Sequence, residues 1–228
     1  MTLEHYLLTN FNVKRDDLAC RPDLDWLKNR FELFERYCLP SVAGQICRDF
    51  TWLIRWDDEG TPASQRDRLL AYAEALPLIR LVPERIAFHI AIARSLDGSP
   101  RRLLTTRLDN DDALHRDAVA LLQREAGGEG MEFLNMPLGY CLEHPGGRTF
   151  LVEQPHNPFV SLAEDVNGAS PRTAVCVSHH DAAALAPVRQ VGAAPSWLQV
   201  IHGRNAANEA VGEPCDPPDL RGLFNVAL

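Results

Sequence analysis

An apolar strand that runs directly into a cluster of carboxylates constrains this chain more than any other feature. Residues 103–108 are predicted to form the strand, and Asp109, Asp111 and Asp112 follow it at once. Carboxylates this close repel one another unless a divalent metal, a hydroxyl-bearing ligand or basic neighbours offset their charge. The pattern therefore predicts a metal–nucleotide site at the end of a strand. The alternative is a solvated loop in which Asp111 or Asp112 caps the following helix.

Apolar runs alternate with longer amphipathic segments along the first half of the chain. The pattern predicts strands at 6–13, 51–56, 78–82 and 103–108, and helices at 26–39, 62–75, 85–96 and 114–125. This alternation predicts an α/β fold with a mainly parallel central sheet flanked by helices. After Gly127 and Gly128 the chain changes to shorter β-like segments, and the tail from Glu213 is predicted to be extended.

Length, charge and cysteine content narrow the class of protein. A chain of 228 residues suits one domain, and a net charge of -8 argues against nucleic acid as a partner. No segment approaches the roughly 18 apolar residues of a membrane span, so we expect a soluble protein and leave peripheral membrane association open. The six cysteines form no C-x-x-C pair, so we expect reduced thiols and a cytoplasmic location.

The ends of the predicted strands are expected to converge, although they lie far apart in sequence. In open α/β sheets, ligands bind outside the carboxyl ends of the strands, which here are residues 9–12, 57–61 and 109–112. A carboxylate at Asp57 or Asp58 can accept a hydrogen bond from the N3–H of uracil or thymine. The alternative role for these two residues is to cap the next helix.

Two of these strand ends resemble the signatures of GT-A fold glycosyltransferases. The segment Trp56-Asp-Asp-Glu-Gly-Thr61 resembles their second-strand motif, and Arg107-Leu-Asp-Asn-Asp-Asp112 resembles their D-x-D-D motif. More narrowly, five segments in the same order are similar to the putative rhamnosyltransferase family: residues 6–13, 39–45, 105–115, 157–162 and 197–205. The resemblance covers roughly residues 5–208.

The resemblance implies a single GT-A domain over residues 1–228, with a nucleotide-sugar-binding half at 1–126 and an acceptor-binding half at 127–228. It implies transfer of a sugar, with rhamnose a candidate, from a dTDP-, UDP- or GDP-linked donor. The implied acceptor is a cell-surface polysaccharide or a glycolipid. The cofactor would be Mn²⁺ or Mg²⁺, which would neutralise the diphosphate leaving group.

Strand-end position and the resemblance together assign roles to individual residues. Nucleotide-sugar contacts are expected from Thr9, Asn10, Asp57, Asp58, Arg107, Asp109, Arg204 and Asn205. The metal is expected on Asp109, Asp111 and His202, and Asp112 could replace Asp111 because the acidic string offers two registers. Imidazole is an acceptable ligand for manganese, although His202 could equally be a hydrogen-bonded histidine at a strand end.

A general base for the acceptor hydroxyl needs only a carboxylate within hydrogen-bond reach. The segment Ser161-Leu-Ala-Glu-Asp165 resembles the acidic pair of inverting GT-A enzymes, so Asp165 is the first candidate, Glu164 is the second, and inversion is expected. The alternative is a solvated loop.

Two other classes remain open from the sequence. A nucleotidyltransferase would also place carboxylates on an α/β sheet, but the first third of the chain has no glycine-rich, lysine-containing phosphate loop. A non-catalytic nucleotide- or sugar-binding relative is the other class. The segment His179-His180-Asp181 is disfavoured as a metal site because adjacent histidines in a strand point to opposite faces.

Overall fold

The computed structural model describes residues 2–14, 23–168, 170–205, 209–216 and 219–228. Its strands are β1 (Thr2–Asn10), β2 (Thr51–Trp56), β3 (Ile79–Pro83), β4 (Arg101–Arg107), β5 (Ala113–Leu114), β6 (Glu132–Asn135), β7 (Leu138–Glu143), β8 (Thr149–Glu153), β9 (Ser161–Val166), β10 (Val188–Gln190), β11 (Trp197–Ile201) and β12 (Glu213–Cys215). Its helices are α1 (Leu24–Leu33), α2 (Leu39–Ala43), α3 (Ala63–Ala75), α4 (Phe88–Ala93), α5 (Ala118–Glu125), α6 (Ala182–Leu185) and α7 (Leu220–Phe224). A π-helical turn at Phe34–Cys38 joins α1 to α2.

The larger sheet has seven strands in the order β10-β6-β9-β4-β1-β2-β3. Strands β1 to β4 are mutually parallel, whereas β9 runs antiparallel to both β4 and β6. The chain moves outward from β1 to β3 and then returns to β4 on the other side of β1. The carboxyl ends of β1 and β4 therefore flank the point where the strand order reverses, which is where ligands bind in such sheets.

Apolar side chains cover both faces of this sheet, as expected for strands that run parallel inside a fold. One face carries Leu7, Trp52 and Leu104, packed with the aromatic residues of α1 and the turn after it. The other face carries Leu8 and Leu103 and packs against α4. The predicted α/β class is confirmed.

The smaller sheet has the order β12-β8-β7-β11-β5 and brings the second half of the chain to the acidic loop. Strand β5 begins directly after Asp112 and pairs with β11, with Leu114 opposite Trp197 and Ala113 opposite Leu198. Strand β11 ends at Ile201, immediately before His202. A single strand pairing therefore connects the two distant segments.

Several predicted elements have other bounds in the structure: the strand predicted at 6–13 spans Thr2–Asn10, and the helix predicted at 85–96 spans only Phe88–Ala93. Two elements also differ in type over part of their length. The helix predicted from residue 114 begins only at Ala118, because residues 113–114 form β5 instead, so neither Asp111 nor Asp112 caps it. The tail predicted to be extended from Glu213 is extended at β12, but it ends in α7, whose Leu220 and Phe224 are buried against the smaller sheet.

The described part of the chain has no helix long and apolar enough to cross a membrane. The five cysteines within it are all free thiols. Cys20, Pro217 and Pro218, which also entered the predictions, lie outside the described residues.

Gly139 on β7 provides a test of how the smaller sheet packs. A Cβ at this position would overlap the indole of Trp197, which stacks on Phe159 with ring centroids 4.9 Å apart and donates a hydrogen bond to the Met136 carbonyl. We expect Gly139→Ala to lower the free energy of unfolding by about 1–3 kcal/mol, the usual cost of overpacking a core.

Urea denaturation would measure this effect, with Gly127→Ala as the matched control. A Cβ at Gly127 would meet nothing within 4 Å in the described structure. Equal stability of the two variants would contradict the packing described for Trp197.

Candidate functional site

Asp111 and His202, which are 91 residues apart in sequence, meet at the carboxyl end of β4. The Nε2 atom of His202 lies 2.8 Å from Oδ2 of Asp111. The same oxygen accepts a hydrogen bond from Nη1 of Arg30 on α1. These side chains are largely enclosed, with exposed fractions of 1% for His202, 7% for Asp111 and 11% for Arg30. The site therefore combines one carboxylate, one imidazole and one guanidinium group around a single oxygen atom.

Opposing effects act on the pKa of Asp111. Burial alone would raise this pKa, because it disfavours the charged carboxylate. The hydrogen bond from His202 and the positive charge of Arg30 outweigh burial, so that the pKa lies below its ordinary value. Asp111 is therefore ionised at neutral pH.

Asp112 has a structural role. Its Oδ1 accepts a hydrogen bond of 2.8 Å from the Val200 N–H, which fastens the acidic loop to β11. Burial, followed by the negative charges of Asp111 and Asp109, raises the pKa of Asp112 well above its ordinary value. Of the two registers left open by the sequence, the structure favours the one in which Asp111 faces the site.

The loop is also fastened to the end of β1. Asn110 donates a hydrogen bond from Nδ2 to the Phe11 carbonyl, and its Oδ1 accepts one of 3.1 Å from Arg30. Asp109, the first residue of the acidic loop, is exposed.

A cleft of about 720 Å³ opens beside the end of β2. Asp57 lines it, with Oδ1 accepting a hydrogen bond from the Gly60 N–H and Oδ2 lying 3.3 Å from Nζ of Lys14. Asn12 also lines it and connects the two strand ends, because it accepts from the Asp57 N–H and donates to Thr61. The cleft therefore offers a carboxylate, an amide and an ammonium group to a ligand.

Two other residues predicted for nucleotide contacts have partners elsewhere. Thr9 is fully buried, and its hydroxyl accepts a hydrogen bond from Nε1 of Trp52. Asp58 is not among the residues that line the cleft and pairs with Arg85 at 2.6 Å. Asn10 is exposed at the end of β1.

The three remaining residues that were predicted to contact the nucleotide sugar lie in different surroundings. Asn205 accepts from the His202 N–H and donates to the Val200 carbonyl, so it stabilises the turn that presents His202. Arg204 has an exposed side chain, and its carbonyl accepts a 3.4 Å hydrogen bond from Arg30. Arg107 is half-buried at the end of β4. Its charge acts on His179, whose pKa is lowered to about 4 by burial first, then by the charges of His180 and Arg107.

Glu164 and Asp165 do not reach this site, and the prediction that one of them is its general base is corrected by their positions. Strand β9 runs antiparallel to β4, so Asp165 lies opposite Arg102, about 17 Å down the strand from Arg107 at ~3.3 Å per residue. There Asp165 is the counter-ion of the buried Arg102, at 3.1 Å. Glu164 accepts hydrogen bonds from the backbone N–H groups of residues 172 and 173.

The donor atoms at Asp111 fit a divalent metal only in part. Among the described residues, no group of three or more His, Cys, Asp or Glu side chains could hold a metal ion. Asp111 and His202 converge, however, through Nε2 of His202, whereas Nδ1, the other ring nitrogen, is buried with no hydrogen-bond partner within the described structure. Magnesium and manganese commonly take one or two protein ligands and complete their shell with phosphate oxygens and water. The pair therefore fits an ion that arrives together with a diphosphate.

The sequence interpretation missed Arg30 and Lys14, and it included Asn12 only as part of the strand end at residues 9–12. Arg30 lies in the segment 26–39 that was predicted to be helical, and helical spacing does not show that its guanidinium reaches the acidic loop. Lys14 follows the first strand, but no pattern distinguished it from an ordinary loop residue.

Comparison with known proteins identifies the class. The chain matches the family described as "Putative rhamnosyl transferase" over residues 12–214. It therefore belongs to this family, whose description is that of a glycosyltransferase. None of the curated proteins matches the chain.

The solved structures that resemble the chain do so at low identity. Residues 1–349 of TarS from S. aureus align with a TM-score of 0.46 and 8% identity, over 88% of this chain and 60% of TarS 1–349. The same TarS fragment in complex with UDP-GlcNAc aligns with a TM-score of 0.46 and 11% identity, over 91% and 60%. This chain thus spans about three fifths of the TarS fragment.

The role of Asp112 leads to a test with two substitutions. Asp112→Asn keeps an oxygen for the Val200 N–H and removes a carboxyl group whose charged form is disfavoured by burial, so we expect the free energy of unfolding to stay equal or rise. Asp112→Ala leaves that N–H without its acceptor, and we expect a loss of about 1–3 kcal/mol. Chemical denaturation at pH 7 measures both variants, and a loss with Asn as large as that with Ala would refute the structural role.

Proposed function

We propose that this protein transfers a sugar from a nucleotide-diphosphate donor to a glycan or glycolipid acceptor. The observation that carries the proposal is the contact between Asp111 and His202 beside the reversal of strand order between β1 and β4. Both residues were expected from the family resemblance to hold the metal that binds the donor diphosphate. Membership of the rhamnosyl transferase family supports the same reaction class.

The strand arrangement supports a GT-A fold. Four parallel strands at one end of the larger sheet present their carboxyl ends to a single edge, and strands from the second half complete the sheet. In this arrangement the half at 1–126 supplies most of the donor site, and the half at 127–228 adds His202 and the acceptor side.

The donor would extend along this edge. Its base would occupy the cleft, where Asp57 can accept a hydrogen bond from an N3–H group. Its diphosphate would lie at Asp111 and His202, within reach of the exposed Arg204. The exposed Asp109 is suited to accept hydrogen bonds from the ribose hydroxyls.

The chemistry of transfer requires negative charge to be neutralised as the sugar leaves the diphosphate. Bound Mn²⁺ or Mg²⁺ supplies this as a Lewis acid. Asp111 and His202 would hold the ion, Asn110 and Asp112 fix the position of the loop, and Asn205 fixes the turn that carries His202. Rhamnose as the sugar and a cell-surface polysaccharide as the acceptor follow the family description and the resemblance.

Calorimetry with UDP, dTDP and GDP, each with and without Mn²⁺, tests the proposal. We expect one nucleotide to bind, and to bind more tightly with Mn²⁺. Asp111→Asn should abolish the effect of Mn²⁺. It should also reduce the rate of sugar transfer, or of donor hydrolysis, by about 100-fold or more, because the ion that would neutralise the developing charge loses a ligand.

The matched control is Asp117→Asn, which neutralises an Asp whose side chain is 55% exposed outside the cleft. Circular dichroism would confirm that both variants are folded. Full transfer by Asp111→Asn would refute the metal site. Nucleotide binding with neither transfer nor hydrolysis would instead indicate a non-catalytic relative.

A further inference from the structure

Arg30 occupies the acidic site in a way that bears directly on metal binding. Its Nη1 donates to Oδ2 of Asp111 and to Oδ1 of Asn110, and its Nη2 donates to the Arg204 carbonyl. All three partners belong to the acidic loop or to the turn after β11. The guanidinium also lies 5.0 Å from the centre of the Trp26 ring, which holds it over that loop.

Arg30 and a metal ion would bind the same atom, Oδ2 of Asp111. Arg30 and His202 both bond to this oxygen, and it is also the atom that converges with the imidazole in the candidate metal pair. A divalent ion held by Asp111 and His202 would therefore lie next to the guanidinium. Two positive charges in such close proximity repel each other strongly in a partly buried site.

The burial of Asp111 explains why a cation is present at all. A carboxylate with only 7% of its side chain exposed is unfavourable unless an opposite charge or several hydrogen bonds compensate it. Arg30 supplies that charge from a helix of the first half of the chain, and this residue has no place in the motifs that predicted the site.

We propose that Arg30 is the built-in counter-ion of Asp111 and competes with the divalent metal for its carboxylate. In the protein without metal, Arg30 neutralises Asp111 and holds it beside His202. Metal binding requires the guanidinium to leave Oδ2, after which its N–H groups are free to bind the donor diphosphate. The inference rests on the proposed function for the identity of the metal's partner, but the competition itself concerns only this chain and the ion.

Titration with Mn²⁺ alone, followed by the electron paramagnetic resonance signal of the free ion, tests the competition. Without any nucleotide, we expect Arg30→Gln to bind Mn²⁺ at least about tenfold more tightly than the unmodified protein, which corresponds to ~1.4 kcal/mol. Arg30→Lys retains the positive charge, so its affinity for Mn²⁺ should stay within about threefold of that of the unmodified protein.

The matched control is Arg204→Gln, which removes a neighbouring but exposed positive charge. Screening by water and salt makes that charge weak, so we expect less than about a threefold change. Equal or weaker Mn²⁺ binding by Arg30→Gln would overturn the proposal. A gain in Arg204→Gln as large as that in Arg30→Gln would also overturn it, because the effect would then be general electrostatics.

A second readout does not depend on the affinity of Mn²⁺. Without metal, Arg30→Gln should unfold at a lower temperature, because Asp111 loses its counter-ion, and added Mn²⁺ should raise its Tm more than that of the unmodified protein. If this variant does not fold, the proposal can be tested instead by ¹⁵N spectra of the arginine side chains in the unmodified protein. The Arg30 signals must shift as Mg²⁺ binds, and unchanged signals at saturation would overturn the proposal.

These measurements separate the two proposals. If the unmodified protein bound none of the three nucleotides, the proposed function would fail, while tighter Mn²⁺ binding by Arg30→Gln would still support the competition. If nucleotide binding and transfer were found but Arg30→Gln bound Mn²⁺ no more tightly, only the competition would fail.

Discussion

The burial of Asp111 beside His202 is the constraint on which the site depends. An ionised carboxylate at this depth requires compensation, and Arg30 and His202 supply it on one oxygen atom. Removing one partner of such an arrangement leaves a buried charge without a counter-ion. The free energy of folding lost in this way is far larger than the net stabilisation that the intact pair provides. The acidic loop is therefore held at one position in the absence of any ligand.

Backbone contacts fix the loop as firmly as the charges do. Asn110 bonds to the end of β1, Asp112 bonds to β11, and β5 continues from the loop directly into the smaller sheet. The position of His202 follows from the same contacts, because β11 ends one residue before it and Asn205 closes its turn. The candidate site residues from the two halves of the chain are thus positioned by one small set of hydrogen bonds.

Periodicity and strand-end position predicted the strands that form the edge, and β2 was predicted to the residue. They also placed Asp57 and Asp58 at this edge as alternatives for contact with a base, and of the two it is Asp57 that lines the cleft, whereas only the family resemblance indicated His202. Arg30 was missed because helical spacing marks the face of a helix but does not report which loop a long side chain reaches. The assignment of Asp165 failed because a short acidic motif does not reveal strand direction: β9 runs away from the edge, and Asp165 compensates Arg102 instead.

The charges around Asp111 also suggest why metal and donor would bind together. With one carboxylate, one imidazole and an adjacent guanidinium, the two candidate ligands offer a divalent ion little net negative charge, so binding of the ion alone is opposed. A diphosphate brings negative charge to both the ion and Arg30, and it supplies the oxygen ligands that the chain lacks. In this arrangement the guanidinium has an anionic partner in either state, Asp111 before the donor binds and the diphosphate afterwards. The cost of releasing Asp111 is then offset only when the donor is present, which couples metal affinity to donor binding.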